Sequence, residues 1–157
     1  MTAHSERRRV PYSPEQMFDL VADVAAYQEF IPWIKSARIR KRTETGPGLE
    51  QFEADMVVSF TVFRESYTSL VKTSRGEGEE PARVDAQAIN GPFNKLTTRY
   101  AFYPADNGAC DMALEIDFAF RNRILQRAAG AAFDLALRKV AVAFEDRAKV
   151  LYGSAST

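Results

Sequence analysis

The chain has one cysteine, one histidine and one tryptophan in 157 residues, and it has no long apolar run. A lone thiol, Cys110, makes no internal disulfide, and the segment from Met1 to Val10 carries arginines without the apolar core of a secretory signal. A reducing cytoplasm is therefore expected. Nothing approaches the ~20 consecutive apolar residues of a membrane-spanning helix. His4 lies near one end and Cys110 has no histidine near it in sequence, which argues against a Cys/His nucleophile. HxxxH and CxxC patterns, carboxylate clusters at metal-ligand spacing and a phosphate-cradling glycine loop are all missing, so neither a metal site nor a required cofactor is expected. An excess of one charge is missing too: 21 basic residues face 21 acidic ones, which removes any global attraction to nucleic acid or an anionic membrane.

What is present reads as one α+β domain over residues 1–157, with 153–157 as a flexible tail. His4 to Val10 suits a first strand. Ser13-Pro14-Glu15-Gln16 then combines an N-cap serine, a proline at the first helical position and the glutamine of a capping box, ahead of the apolar positions Met17, Leu20, Val21 and Val24. A second short helical turn carries Ala26, Tyr27 and Phe30 until Pro32 stops it. From Lys35 to Phe120 the period becomes two, punctuated by turn signals at Gly46-Pro47-Gly48, Gly76-Glu77-Gly78, Asn90-Gly91-Pro92 and Asp106-Asn107-Gly108. Phe52, Ala54, Met56, Val58 and Phe60 share one strand face, as do Leu96, Thr98, Tyr100 and Phe102. Short connections make the strands antiparallel neighbours. Beyond Phe120 the apolar positions step by three and four, which predicts one continuous helix from Arg121 to Tyr152, roughly 45 Å at ~1.5 Å per residue, laid across the sheet.

Three features bear on function. The segment Tyr27-Gln28-Glu29-Phe30-Ile31-Pro32-Trp33-Ile34-Lys35 is a dense apolar lip followed by Arg38, Arg40, Lys41 and Arg42, the composition of a membrane or protein contact; the plainer reading makes Phe30 and Trp33 core plugs beside solvated cations. Ala128, Ala129, Ala131 and Ala132 surround Gly130, leaving either close helix packing or room for a ligand. Polar residues Arg64, Glu65, Tyr67, Arg99, Tyr103, Glu115 and Asp117 fall within strands, facing either solvent or a cavity, where a buried Tyr or Arg hydrogen-bonds a ligand carbonyl.

Read in order, several segments resemble a family: Tyr12-Ser13-Pro14-Glu15-Gln16-Met17-Phe18-Asp19-Leu20-Val21, then Tyr27-Gln28-Glu29-Phe30-Ile31-Pro32-Trp33, Gly91-Pro92-Phe93, Ile116-Asp117-Phe118-Ala119-Phe120, and Ala143-Phe144-Glu145-Asp146-Arg147-Ala148 ahead of Leu151-Tyr152-Gly153. The chain is similar, over nearly its whole length, to the coenzyme Q-binding, START-like members of the polyketide cyclase and lipid-transfer (SRPBCC) superfamily, which include bacterial ribosome-association toxins. It departs from that pattern at Ile34, where the family commonly has cysteine, and at Arg121-Asn122-Arg123, where a serine and a proline often introduce the helix. The resemblance implies a helix-grip fold, a curved antiparallel sheet of about seven strands around the C-terminal helix, enclosing a tunnel for an apolar ligand.

The function expected from this resemblance is binding and transfer of a hydrophobic isoprenoid lipid, ubiquinone first, in support of respiration in a bacterium. Ubiquinone is expected as the bound ligand, held without catalysis by Phe30, Ile31, Trp33, Met56, Val58, Tyr67, Phe93, Ala132, Phe133 and Leu137. Ile34, Lys35, Arg38 and Arg40 are the expected membrane or partner contact, the protein being cytoplasmic and peripheral to the inner membrane. One alternative is a toxin-like factor on the large ribosomal subunit, motivated by the basic strand Lys35 to Arg42, although balanced charge makes rRNA affinity harder to sustain. The other is a cyclase or dehydratase acting through Tyr67, Arg99 or Glu115; lacking a mid-chain histidine or a clear acid/base pair, the chain is expected not to be an enzyme.

Overall fold

The computed structural model describes residues 2–60 and 63–153. Seven strands form one antiparallel sheet in the order β1-β7-β6-β5-β4-β3-β2: β1 (Thr2–Val10), β2 (Ile34–Gly46), β3 (Leu49–Phe60), β4 (Phe63–Ser74), β5 (Ala82–Ala88), β6 (Phe93–Pro104) and β7 (Cys110–Phe120). This is the helix-grip fold, a curved sheet packed on the C-terminal helices. Between β1 and β2 lie α1 (Pro14–Ala22) and a 3-10 turn (Val24–Glu29). The capping box forms as read: Gln16 N donates to Ser13 Oγ at 3.1 Å, and Ser13 N to Gln16 Oε1 at 3.0 Å. These contacts satisfy two of the helix's orphan donors. The four buried side chains of α1, Met17, Phe18, Leu20 and Val21, then anchor it to the core.

The alternation along the strands sorts their side chains between the two sheet faces. In β7, Cys110, Met112, Leu114, Ile116, Phe118 and Phe120 are all buried, and in β3 Phe52, Ala54, Met56 and Val58 are. Edge strand β1 is different: His4, Glu6 and Arg8 point to the helix side and bond there. Arg8 Nη1 donates to Glu145 Oε1 at 3.1 Å, and Arg138 Nη1 lies 3.2 Å from His4 Nδ1. Arginine has no acceptor, so His4 Nδ1 accepts and Nε2–H donates to Glu6 Oε1, 3.1 Å away.

The long helix is not continuous. It divides into α2 (Arg123–Arg138) and α3 (Val140–Tyr152), separated at Lys139, whose N–H bonds Ala136 O at 3.1 Å in a 3-10 tightening of one turn. No proline or glycine stands at the break, so the sequence carries no signal for it. Its start also shifts from the expected Arg121: Asn122 is the N-cap, its Oδ1 accepting from Ile124 N at 2.7 Å and Leu125 N at 3.4 Å. The apolar stripe is narrower than the spacing implied, since Ala129, Phe133, Leu137, Val140, Ala141, Phe144 and Ala148 are buried whereas Ala128, Ala132 and Leu151 are exposed. Of the expected tail 153–157, residues 154–157 lie outside the described residues, and Gly153 caps α3, its N–H bonding Lys149 O at 2.9 Å. No helix among the described residues is long and apolar enough to cross a membrane.

Candidate ligand cavity

Between the sheet and the helices lies an internal cavity of about 70 Å³. Its walls come from the 3-10 turn, the connection after it and the start of β2 (Val24, Tyr27, Ile31, Trp33, Ile34), the inner faces of β3 to β6 (Met56, Tyr67, Ser69, Val71, Val84, Ala86, Leu96, Thr98, Tyr100), and the helices (Phe133, Leu137, Val140). The lining is apolar apart from a small set of hydroxyls. Ligand pockets usually enclose about 300–1,000 Å³, so this cavity takes a fragment as it stands and a whole lipid only if a wall moves. A larger depression, about 510 Å³, lies on the outer sheet face among Lys72, Arg83, Asp85, Arg99, Tyr103 and Glu115. It is polar and open to solvent, which suits it poorly to an apolar molecule.

The hydroxyls give the cavity its chemistry. Tyr67 and Tyr100 both line it, and among the described residues neither phenol has a hydrogen-bond partner. Burial pushes both phenols well above the ordinary tyrosine range, and at Tyr100 the nearby Tyr67 adds to the effect. They are therefore neutral donors at any physiological pH. Tyr27 is also raised, chiefly by burial, but its OH is engaged, donating to Val21 O. Two free phenols facing an apolar space suit a guest that brings its own acceptors.

Phe133 closes one end. Its ring lies 4.9 Å from Phe118, 5.3 Å from Phe93, 5.6 Å from Phe60, 5.7 Å from Phe120 and 5.9 Å from Trp33, measured between centroids. Phe93 in turn stands edge-on to Tyr67 at 5.2 Å. The close approach behind that pair needs Gly91: at φ +92°, a Cβ there would sit 2.6 Å from Tyr67 Cβ and 2.9 Å from Ser66 O. Gly130 does not line the cavity; its missing side chain makes room for Gln126 of the same helix. A Cβ on it would meet the Gln126 amide at 2.3 Å, and Gln126 Oε1 accepts from Phe120 N at 3.1 Å, tying α2 to the end of β7.

Of the ten expected ligand residues, Ile31, Trp33, Met56, Tyr67, Phe133 and Leu137 line the cavity. Val58 and Phe93 are buried in the core beside it. Phe30 lies outside, against Phe144 and Tyr27 and under the Arg147 guanidinium, on an outer groove with Pro32. Ala132 is corrected: it faces solvent, because packing Phe133 into its ring of aromatics turns the preceding residue away. The expected contact patch is corrected in two places. Ile34 is 5% exposed and lines the cavity. Arg40 is neutralised, its Nη2 3.0 Å from Glu53 Oε1 and its Nε 2.8 Å from Asp55 Oδ2, while Lys41 and Arg42 pair with Glu53 and Glu50. Only Lys35 and Arg38 of that strand remain exposed and unpaired among the described residues. Of the polar strand residues, Tyr67 faces the cavity, whereas Arg99, Tyr103, Glu115 and Asp117 lie on the outer face. Sequence reasoning did not assign Tyr100, Thr98 or Ser69 to the site. The first two fall on the strand face shared with Leu96 and Phe102, so a polar pair on an apolar face was the available signal.

A profile of the family described as polyketide cyclase / dehydrase and lipid transport matches residues 10–145. The chain belongs to this family. Within it, the chain is 31% identical over 150 residues to the ribosome association toxin RatA of Rickettsia prowazekii, covering 95% of this chain and 97% of that one. It is 28% identical over 145 residues to the mitochondrial coenzyme Q-binding protein COQ10 of Drosophila melanogaster, covering 90% of this chain and 56% of that protein. Among solved structures, the 18 kDa protein CC1736 from Caulobacter crescentus superimposes with a TM-score of 0.75 at 30% identity, covering 98% of this chain and all of the other. The Zhui aromatase/cyclase from a Streptomyces species has a TM-score of 0.74 at 14% identity, covering 99% and 98%, a likeness of fold alone.

Proposed function

We propose that this protein binds and carries an apolar lipid bearing oxygen acceptors, with ubiquinone or a similar isoprenoid quinone as the ligand, in support of respiration. The observation that carries the reading is the pair of unpartnered phenols, Tyr67 and Tyr100, on an otherwise apolar internal cavity. A quinone carbonyl or methoxy oxygen accepts from each, at about 0.5–1.5 kcal/mol per bond. Each isoprene unit removes on the order of 100 Å² of apolar surface from water, about 2.5 kcal/mol before ordering costs. Because the cavity is small, the tail needs α2 to move outward as a wall, carrying Phe133 and Leu137 with it. The site requires no turnover, and the lipid is cargo and not a cofactor. The name of the Drosophila relative supports the same ligand class.

Native mass spectrometry of the protein purified from a ubiquinone-producing host tests this. A bound quinone mass is expected. Repeated absence of one, together with no saturable quinone binding on titration, refutes the reading.

A second reading has an observation of its own: relatives above 30% identity, matched over more than nine tenths of both chains, are named ribosome association toxins. In this reading the partner is the ribosome. It has to act without the expected basic strand, since Arg40, Lys41 and Arg42 are paired with carboxylates. Sedimentation with ribosomal subunits at low salt separates the two, because a protein that stays at the top of the gradient is not a ribosome ligand.

A further inference from the structure

The outer face of α2 breaks two rules that its inner face obeys. Cations are unfavourable near a helix N-terminus, where the backbone dipole is positive, yet Arg121, Arg123 and Arg127 cluster there and the first turn holds no acid. Among the described residues none of the three is in an ion pair, although the Arg121 Nε donates to Gly91 O at 3.2 Å. The one acid of α2, Asp134, is occupied by Arg138 at 3.1 Å. Large apolar side chains are also unfavourable in water, yet Ile124 is 77% exposed and Leu135 is 55% exposed. Eleven residues apart on a helix, these two lie on one line roughly 16 Å long, opposite Phe133. Local rules broken together, with no ion pair among the described residues to compensate, mark a surface that works against something else.

We infer that this face of α2 docks on an anionic lipid surface, with Ile124 and Leu135 entering the interface and Arg121, Arg123 and Arg127 lying over the headgroups. Charge complementarity selects the occupant. A second copy of this chain in a symmetric antiparallel pair could cover Ile124 with Leu135 but would offer the arginines no acid, since Asp134 is held by Arg138. A nucleic-acid backbone would match the arginines but leave Ile124 and Leu135 with nothing apolar to enter. An amphipathic helix at a charged bilayer uses both. The inference rests on the lipid-carrying reading for its purpose, since the same helix turns Phe133 and Leu137 into the cavity. Docking would then place the cavity's wall at the source of the ligand.

The test is co-sedimentation of the whole protein with phosphatidylcholine vesicles, alone and with about one third phosphatidylglycerol. Binding is expected only to the anionic vesicles, weakened by salt. R123Q/R127Q should lose about thirty-fold in affinity, about fivefold per arginine. Ile124→Ser should lose about tenfold. K35Q/R38Q, on the strand where the contact was first expected, should bind as the parent does. All these positions are exposed, so unchanged thermal melts verify folding. Equal binding to both vesicles, no binding to either, or loss in K35Q/R38Q but not in R123Q/R127Q overturns the inference. So does arginine-dependent binding to ribosomal RNA without vesicle binding. Native mass spectrometry on the same preparation separates the two proposals: a quinone-loaded protein that ignores anionic vesicles sinks the docking face alone, and a vesicle-binding protein that never holds a quinone sinks the ligand reading alone.

Discussion

Replacing Tyr67 and Tyr100 by phenylalanine is expected to stabilise the ligand-free protein and weaken quinone binding at the same time. The two effects share one cause. A buried hydroxyl without a partner costs about 1–3 kcal/mol, and the lower end applies here because a cavity of about 70 Å³ has room for water. Removing both hydroxyls therefore relieves about 2 kcal/mol, a rise in Tm of about 4–8 °C for a chain of this size. Two lost hydrogen bonds to the ligand, at about 1 kcal/mol each, lower affinity about thirty-fold. Circular dichroism melts read the first effect. For the second, Trp33 lines the cavity and is the chain's one tryptophan, so its fluorescence reports a titration with a short-chain ubiquinone analogue. A residue that merely packs the core gives a lower Tm when truncated. A fall in Tm, or an affinity unchanged by both substitutions, would refute the assignment of these phenols as ligand donors.

Three further substitutions or conditions probe the same architecture. Ala86→Leu adds three carbons to the cavity wall, each about the ~30 Å³ share of a water molecule, and should abolish quinone binding at an overpacking cost of about 1–3 kcal/mol; Ala132→Trp, on the outer face, should leave the bound-quinone fraction in native mass spectrometry unchanged. Gly91→Ala combines left-handed strain with a contact on Tyr67, so a loss of at least about 1–3 kcal/mol in urea unfolding is expected, with weakened quinone binding as Tyr67 is displaced. Stability should fall on the alkaline side: burial pushes the Cys110 thiol up to about 12 and raises Tyr27, Tyr67 and Tyr100, so the unfolded chain releases these protons first. The stability is intact below about pH 8.5, where free cysteine begins to titrate, and declines as pH rises toward the folded values. In pH-dependent melts, Cys110→Ala should remove the earliest part of that decline and leave the tyrosine part, which starts near about pH 10.

Much of the architecture was legible because it depends on local periodicity. The capping box at Ser13 and Gln16, the stop at Pro32, the turns at Gly48, Gly76 and Gly91 and the alternation of β3 and β6 each follow from backbone geometry within a few residues. That alternation also placed Met56 and Tyr100 each on one face with apolar neighbours before any partner strand was known. The resemblance to the lipid-transport superfamily supplied the curvature that periodicity does not encode.

The rest depended on contacts between residues distant in sequence. A one-position rotation separates Ala132 from Phe133 on the same helix, and what chose between them was the aromatic cluster of Trp33, Phe60, Phe93, Phe118 and Phe120, drawn from three strands and a connection. The basic run Lys35 to Arg42 looks like a charged patch until the β2–β3 register sets Arg40 across from Glu53 and beside Asp55, which cancels it. By itself, then, the sequence determined where strands, turns and helices run and which strand side chains share a face, because strand and helix periods are properties of the local chain. Tertiary structure alone decided which of them share a cavity, which cations stay unpaired and which helix face meets solvent, because those depend on strand register and on the packing of surfaces that the sequence does not place side by side.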